Sequence, residues 1–198
     1  MAADAIVFDV DGTLWDSAPF FSAVLGDLAG VPHEALKEKL LRGDSIVTMV
    51  TQHGVSRQGF RRACMERSEE LDLFDDIEET LDRLRAADIP MGIVTSLPGE
   101  MILIPLLEAK ELSRLFRTVI HAGNCRQRKP NATGLRAALN ALDVQPSESV
   151  FYVGDKDVDQ QTAANAGVSF AWASWGYQDE RPAGTTTVLR TAREILAL

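Results

Sequence analysis

The chain has 198 residues, of which 45% are hydrophobic and 25% charged, with a formal net charge of −9. This length fits one domain, or one domain with a modest insertion, without a disulfide or structural metal to hold its core. The acidic balance argues against binding to nucleic acid or to anionic membranes. No apolar run reaches the ~18 residues of a membrane span, and the N-terminus lacks a signal-peptide pattern. We therefore expect a cytoplasmic protein in which Cys64 and Cys125 are reduced.

A short apolar run, Ala5 to Phe8, predicts a strand that is buried on both faces of a parallel sheet. Asp9 and Asp11 follow where this strand ends, and in extended chain their carboxylates share a face. Gly12 then permits a backbone turn. Because ligands of open α/β sheets bind beyond the carboxyl ends of the strands, the pair suits a metal with oxygen ligands and an adjacent nucleophile. The alternative is a turn in which the aspartates bond to their own backbone.

Helical spacing replaces the strand pattern after this motif and continues to about residue 74. Predicted helices begin near Pro19 and cover Pro32–Leu41, Asp44–His53 and Ser56 to about Leu71. Because no strand signal interrupts this block, residues 16–74 are interpreted as a small all-helical cap inserted after the first strand. Residues 1–15 and 75–198 are interpreted as an α/β core.

Strands and helices alternate through the rest of the chain, which is typical of a parallel sheet covered on both faces. Apolar runs predict strands over residues 90–94, 118–121, 150–153 and 169–172. Helices are predicted over residues 77–87, 99–110, 131–142 and 158–166, and in the tail from Thr191. Pro105 is expected to kink or interrupt the helix that contains it. Trp172, Trp175 and Tyr177 are expected to pack near the last strand; the alternative is that residues 175–177 border the site.

Polar side chains stand at the ends of successive predicted strands or in the connections after them: Asp9, Asp11, Thr95, Ser96, Lys129, Asp155 and Asp159. Since the ends of parallel strands open on one edge, these groups are expected to meet there. Clustered carboxylates repel one another unless a cation lies among them, and the available oxygen ligands favour Mg²⁺ over zinc. The lysine and hydroxyl donors complement a phosphate group. Taken singly, Thr95 and Ser96 could cap a helix, Lys129 could be a surface lysine, and Asp155 could belong to a turn.

The order of these motifs resembles the haloacid dehalogenase (HAD) superfamily of phosphohydrolases. The motifs are Asp9-Val10-Asp11-Gly12-Thr13, Thr95-Ser96, Lys129-Pro130, and Gly154-Asp155 with Asp159. A helical cap after the first motif is similar to the phosphoglycolate phosphatase and β-phosphoglucomutase branch. The resemblance implies a Rossmann-like α/β core and a Mg²⁺-dependent phosphatase acting on a small phosphorylated metabolite. The alternatives are a phosphomutase and a non-catalytic relative that binds phosphate or metal. A monomer or homodimer is expected.

The resemblance also implies roles for the four aspartates. Asp9 is the expected nucleophile, which forms an aspartyl-phosphate. Asp11 is expected to protonate the leaving oxygen and then to activate the water that hydrolyses the intermediate. Asp9, the backbone carbonyl of Asp11, and Asp155 are the expected Mg²⁺ ligands, with Asp159 as an indirect ligand or as support.

The remaining implied roles concern the phosphate and the rest of the substrate. Thr95, the amide of Ser96, and Lys129 are expected to bind the phosphoryl oxygens. The cap is expected to close over the site and to select the leaving group. Arg42 and Gly43, between two predicted cap helices, are the first candidates for substrate contact. The alternative for Arg42 is a helix-end arginine near the C-terminal dipole.

Overall fold

The computed structural model describes residues 3–198. Within this range six strands form one parallel sheet in the order β3-β2-β1-β4-β5-β6. The strands are β1 (Ala5–Phe8), β2 (Met91–Val94), β3 (Thr118–Ile120), β4 (Val150–Gly154), β5 (Ser169–Ala173) and β6 (Thr187–Leu189). The strand order reverses direction at β1, which lies between β2 and β4. Doubly wound folds bind ligands beyond the carboxyl ends of the strands at such a point. The predicted Rossmann-like α/β class is confirmed.

The register of the central strands brings their ends together. Phe8 in β1 lies opposite Ile93 in β2 on one side and Val153 in β4 on the other. The backbone N–H of Asp9 then donates to the carbonyl of Val153 at 2.8 Å. The residues that follow β1, β2 and β4 therefore lie at about the same height along the strand direction, at the carboxyl end of the sheet.

Four helices lie between β1 and β2 before the chain returns to the sheet: α1 (Ser17–Ala29), α2 (His33–Leu41), α3 (Ile46–Gln52) and α4 (Arg57–Glu66). The fourth helix ends earlier than predicted, because Arg67 leaves helical geometry with φ −115° and ψ 18° and a 3₁₀ turn, Ser68–Glu70, follows. The outgoing and returning segments pair with each other: the Asp16 N–H donates to the Asp72 carbonyl at 2.9 Å. The division into a cap of residues 16–74 and a core stays our interpretation.

The helices of the second half are α5 (Ile77–Ala86), α6 (Ile104–Ala109), α7 (Thr133–Leu142) and α8 (Asp157–Ala166). The segment predicted as one helix over residues 99–110 is a π-helix, Gly99–Leu103, that continues into α6. Pro105 lies in the first turn of α6, where a missing N–H is tolerated. The C-terminal tail forms a 3₁₀ helix, Ala192–Ala197. Residues 3–198 contain no helix that could span a membrane.

Two apolar clusters enclose the sheet. Ile6 and Phe8 belong to a cluster that includes Phe21 and Phe60 from the helices after β1. The alternate residues of β1, such as Val7, belong to a second cluster beneath α7 and α8. Because the helices after β1 share a buried cluster with β1 itself, they are packed against the core rather than separated from it.

Candidate active site

Three buried carboxylates meet beyond the ends of β1 and β4. Asp9 follows β1, Asp155 follows β4, and Asp159 lies in the first turn of α8. One carboxylate oxygen from each lies within 4.8 Å of the others. Asp155 and Asp159 are 0% exposed and Asp9 is 6% exposed. Such a group is stable only where cations or donors compensate the desolvated charge.

Burial raises the pKa of two of these acids. For Asp9 it outweighs the opposing effect of Lys129 and raises the pKa to about 7. For Asp155 it outweighs the opposing effect of Lys156 and raises the pKa to about 6. The protein alone therefore leaves these carboxyl groups short of positive charge, and a bound cation would favour their ionised forms.

The Asp155 carboxylate has one satisfied and one unsatisfied oxygen. Its Oδ2 accepts from the backbone N–H of Tyr177 at 2.9 Å. Its Oδ1 is buried and, among the described residues, has no hydrogen-bond partner. A buried acceptor without a donor is costly unless something satisfies it. The free oxygen and the all-oxygen donor set with Asp9 and Asp159 fit a hard divalent cation such as Mg²⁺.

Lys129 lies between two of the carboxylates. Its Nζ donates to Asp9 Oδ1 at 2.7 Å, to Asp159 Oδ1 at 2.6 Å and to the Tyr152 hydroxyl at 3.0 Å. The side chain is only 8% exposed. Burial lowers its pKa, but Asp159 and Asp9 outweigh this effect and hold the pKa well above its ordinary value. The group is thus a buried cation directly beside the expected nucleophile.

Asp11 lies beside the three-carboxylate group without joining it. Its Oδ1 accepts from the indole N–H of Trp15 at 3.1 Å. Its side chain is half-buried, and burial raises its pKa. A carboxyl group with a raised pKa holds its proton nearer to neutral pH, which is the property required of a general acid.

Thr95 and Ser96 lie at the end of β2, on the wall of the same cavity as Asp9. Thr95 is buried, and its hydroxyl oxygen accepts from the Leu97 N–H at 3.2 Å. The hydroxyl therefore helps to form the turn after β2, while its own proton remains available to a ligand. It does not cap the next helix, which begins after Pro98 and has no side-chain cap. Ser96 is exposed.

A cavity of about 340 Å³ lies between the ends of the strands and the helices after β1. Its lining includes every predicted site residue except Arg42 and Asp155. Gly43 lines it from the cap side together with Asp44. The Arg42 guanidinium instead donates to Glu38 at 3.0 Å, with 73% of the side chain exposed. Besides Lys129, the cavity lining contains two cations, Arg128 and Lys156. The Arg128 side chain makes no hydrogen bond or ion pair with residues 3–198.

Three residues of this region were missing from the predicted site. Tyr152 looks like a core residue in an apolar strand, and Arg128 looks like an ordinary surface arginine beside Lys129. Tyr177 was expected only to pack or to border the site. Its hydroxyl donates to Asp16 Oδ1 at 2.9 Å and accepts from the Ala18 N–H at 2.9 Å. For Arg128 the available sequence signal is a guanidinium group directly before the Lys129-Pro130 motif, whereas neither tyrosine adjoins a motif.

Fold and site together define an α/β enzyme with an acidic centre at the edge of a parallel sheet. A family model described as haloacid dehalogenase-like hydrolase matches residues 6–173, and the chain belongs to this family. The chain is 31% identical over 196 residues to phosphoglycolate phosphatase of Pseudomonas syringae pv. tomato, a match that covers 89% of this chain and 71% of that relative. The family predicted from the four motifs is thus confirmed.

Solved structures show the same fold. A HAD-superfamily hydrolase from Geobacter sulfurreducens matches with a TM-score of 0.75 at 21% identity, covering 98% of this chain and 96% of that one. CbbY from Rhodobacter sphaeroides, solved in complex with phosphate, matches with a TM-score of 0.76 at 19% identity, covering 99% and 100%. Since both alignments span nearly the whole of each chain, the helices after β1 and the sheet follow the same overall arrangement.

Proposed function

We propose that this enzyme is a Mg²⁺-dependent phosphatase that hydrolyses a small phosphorylated metabolite through an aspartyl-phosphate on Asp9. The observation that carries the proposal is the contact of 2.7 Å between Lys129 Nζ and Asp9 Oδ1, within a group of buried carboxylates. A nucleophilic carboxylate must approach an anionic phosphoryl group, so it needs positive charge at its side. The similarity to a phosphoglycolate phosphatase supports a phosphate ester as the substrate.

In the proposed reaction the Asp9 carboxylate attacks phosphorus while Asp11 donates its proton to the leaving oxygen. Asp11 then takes a proton from the water that attacks the aspartyl-phosphate, which regenerates Asp9. Lys129, the Thr95 hydroxyl and the backbone N–H of Ser96 bind the phosphoryl oxygens as their charge redistributes. In-line transfer depends mainly on such positioning and charge stabilisation.

Asp9, Asp155 and the backbone carbonyl of Asp11 would hold the Mg²⁺ ion, and Asp159 would support them. When bound, the ion supplies positive charge that neutralises carboxylate and phosphoryl oxygens together. The unsatisfied Oδ1 of Asp155 supports this assignment.

The cavity favours a small substrate with a second acceptor group. Its volume of about 340 Å³ is near the lower end of the usual range for ligand pockets. Arg128 lines it without an ion pair in the described chain, so its guanidinium is available to a carboxylate or to another oxygen-rich group. Gly43 also lines the cavity, where its missing side chain would leave room for the leaving group.

The test is phosphate release from a panel of small phosphate esters, with and without Mg²⁺. We expect Asp9→Asn to lower kcat by at least ~10³-fold, as for loss of a nucleophile. The matched control is Asp157→Asn, because Asp157 is an exposed acid at the start of α8, two residues from Asp159, and lies outside the cavity lining. Conversion of a hexose 1-phosphate to its 6-phosphate without free phosphate would instead indicate a phosphomutase. Failure to hydrolyse even aryl phosphates would indicate a non-catalytic relative.

A further inference from the structure

Tyr152 in β4 places a single hydroxyl group among the polar atoms of the site. Its side chain is 0% exposed, and its ring belongs to the apolar cluster that contains Val94 and Leu135. The hydroxyl oxygen lies 2.8 Å from the Val94 carbonyl, 3.0 Å from Lys129 Nζ and 3.3 Å from Asp159 Oδ1. An apolar ring would fill the same space, so the hydroxyl has contacts that packing alone does not require.

The number of protons on each group determines the direction of the hydrogen bonds around the Tyr152 hydroxyl. A tyrosine hydroxyl has one proton, and a carbonyl oxygen can only accept. The Tyr152 proton therefore points to the Val94 carbonyl, at the shortest of its three contacts. The hydroxyl oxygen then accepts from Lys129, whose ammonium group has three protons. In the substrate-free protein Asp9, Asp159 and Tyr152 are the three acceptors, so each N–H of Lys129 has its own partner. The N–H directed at Asp9 is the one that a phosphoryl oxygen at Asp9 would share.

We propose that Tyr152 is a positioning residue for phosphoryl transfer, which acts by holding the Lys129 ammonium group in one orientation towards Asp9. This inference rests on the proposed function. The hydroxyl also binds the Val94 carbonyl, which directly precedes Thr95. The Tyr152 hydroxyl thus links the end of β2 to the lysine. It helps to hold two expected phosphate-binding residues, Thr95 and Lys129, in fixed positions relative to each other.

The expected effect follows from where charge develops. Loss of the hydroxyl leaves one N–H of Lys129 and the Val94 carbonyl without their partners, and the ammonium group can reorient. Because the lysine interaction matters most as charge shifts in the transition state, the change should appear in kcat more than in KM. For Tyr152→Phe we expect kcat to fall about 10- to 100-fold, with KM changed by less than about threefold.

A matched control separates this role from loss of a buried hydrogen bond in general. Thr162 in α8 is buried, and its hydroxyl donates to the Val158 carbonyl at 2.6 Å without contact to Lys129. Thr162→Val and Tyr152→Phe should both lower Tm, but kcat of Thr162→Val should stay within about threefold of wild type. Equal kcat losses in the two variants would overturn the positioning role.

A double-mutant cycle tests whether Tyr152 acts through Lys129. In a Lys129→Met background, Tyr152→Phe should cause little further loss of kcat, measured in single turnover with an aryl phosphate. Fully additive losses would overturn the inference. So would wild-type kcat in Tyr152→Phe, provided that the wild-type enzyme hydrolyses phosphate esters.

A spectroscopic measurement tests the claim without turnover. In ¹⁵N-lysine-labelled wild-type enzyme, an ammonium group with three fixed acceptors should give a slowly exchanging ¹H–¹⁵N signal, assigned by its loss in Lys129→Met. The signal should broaden or disappear in Tyr152→Phe. Absence of a protected signal in the wild type would overturn the inference. Failure of the wild type to hydrolyse any ester would instead overturn the proposed function and leave this measurement valid.

Discussion

Tyr177 contacts Asp155 through its backbone: its N–H donates to Asp155 Oδ2 at 2.9 Å. Through its hydroxyl the same residue binds Asp16 Oδ1 and the N–H of Ala18, each at 2.9 Å. Tyr177, in the segment after β5, thus joins an expected Mg²⁺ ligand to the beginning of the proposed cap. Any movement of α1 relative to the sheet must break or stretch these hydroxyl contacts.

Tyr177→Phe should therefore loosen the start of α1 while it leaves the backbone contact with Asp155 in place. We expect a loss of stability of about 1 kcal/mol, typical for a partly buried hydrogen bond, and faster amide exchange over residues 16–20. Hydrogen exchange measured by mass spectrometry and a thermal melt would check both. Ser22→Ala is the control, since Ser22 also lies in α1 but donates to the Pro19 carbonyl. Unchanged exchange over residues 16–20 would contradict the prediction.

Gly176 is tightly enclosed, which leads to a second prediction. A Cβ atom at this position would overlap Asp155 Cβ and the carbonyl oxygen of Gly12. Gly176→Ala should therefore displace the Asp155 carboxylate, lower Tm and weaken Mg²⁺ binding at least ~10-fold, measured by calorimetry. Gly134→Ala is the control, because a Cβ in α7 would make contacts of 3.4–3.5 Å and alanine favours a helix by about 1 kcal/mol. Equal Mg²⁺ affinity in the two variants would refute the steric explanation.

The raised pKa values of Asp9, about 7, and Asp155, about 6, predict how stability depends on pH. Because both exceed the ordinary value of 3.8, the folded state favours the protonated acids. Their stabilising contribution is complete below pH 3.8 and is lost as pH rises through 6 and 7. Between about pH 5.5 and 8, the Tm of metal-free protein should therefore fall.

Saturating Mg²⁺ should reverse most of this fall, because the ion favours the ionised carboxylates and binds only the folded state. The measurement is a series of thermal melts in chelator and in Mg²⁺. Asp155→Asn should show a smaller slope with pH and a smaller Mg²⁺ effect, whereas Asp157→Asn should match the wild type. A Tm in chelator that stays constant from pH 5.5 to 8 would count against the raised pKa values.

Most of the fold was predictable because its signals are local. The run Ala5–Phe8 is bounded by polar residues, and the observed strand β1 has the same limits. The short strand β6, Thr187–Leu189, was missed because three residues among threonines carry no apolar run of their own. The π-helix Gly99–Leu103 was also not predicted, since its apolar pattern resembles that of an α-helix. Pairing with β5, which the local sequence does not show, defines β6.

The site was predictable only as far as motif order and strand ends determine it. Asp9, Asp155 and Asp159 meet as the parallel topology predicts. The partner of Lys129 in β4 was not predictable, because the hydroxyl of Tyr152 differs from a core phenylalanine only in its hydrogen bonds. The sequence also indicated Arg42 and not Arg128, although Arg128 lines the cavity and Arg42 pairs with Glu38 outside its lining. Side-chain direction at a helix end depends on the ion-pair partner, which the motif does not show.

Arg128 rather than Arg42 is therefore expected to contact the substrate. Arg128 lines the cavity next to Lys129 in sequence, whereas Arg42 is paired with Glu38 outside its lining. For an ester that carries a carboxylate, Arg128→Gln should raise KM about 10-fold or more, since a charge-assisted hydrogen bond contributes about 1.5–3 kcal/mol. For an uncharged aryl phosphate, KM should change much less.

The controls for this prediction are Arg42→Gln and Arg126→Gln. Arg126 is an exposed arginine two residues from Arg128 and lies outside the cavity lining. Arg126→Gln therefore changes the net charge by the same amount as Arg128→Gln but removes no cation from the cavity. Both controls should keep KM within about twofold of wild type at physiological ionic strength, where exposed charges further than ~8 Å away are screened. If Arg42→Gln raised KM for the carboxylate ester and Arg128→Gln did not, the cap arginine would be the substrate contact. The cap would then have to close further to bring it into the cavity.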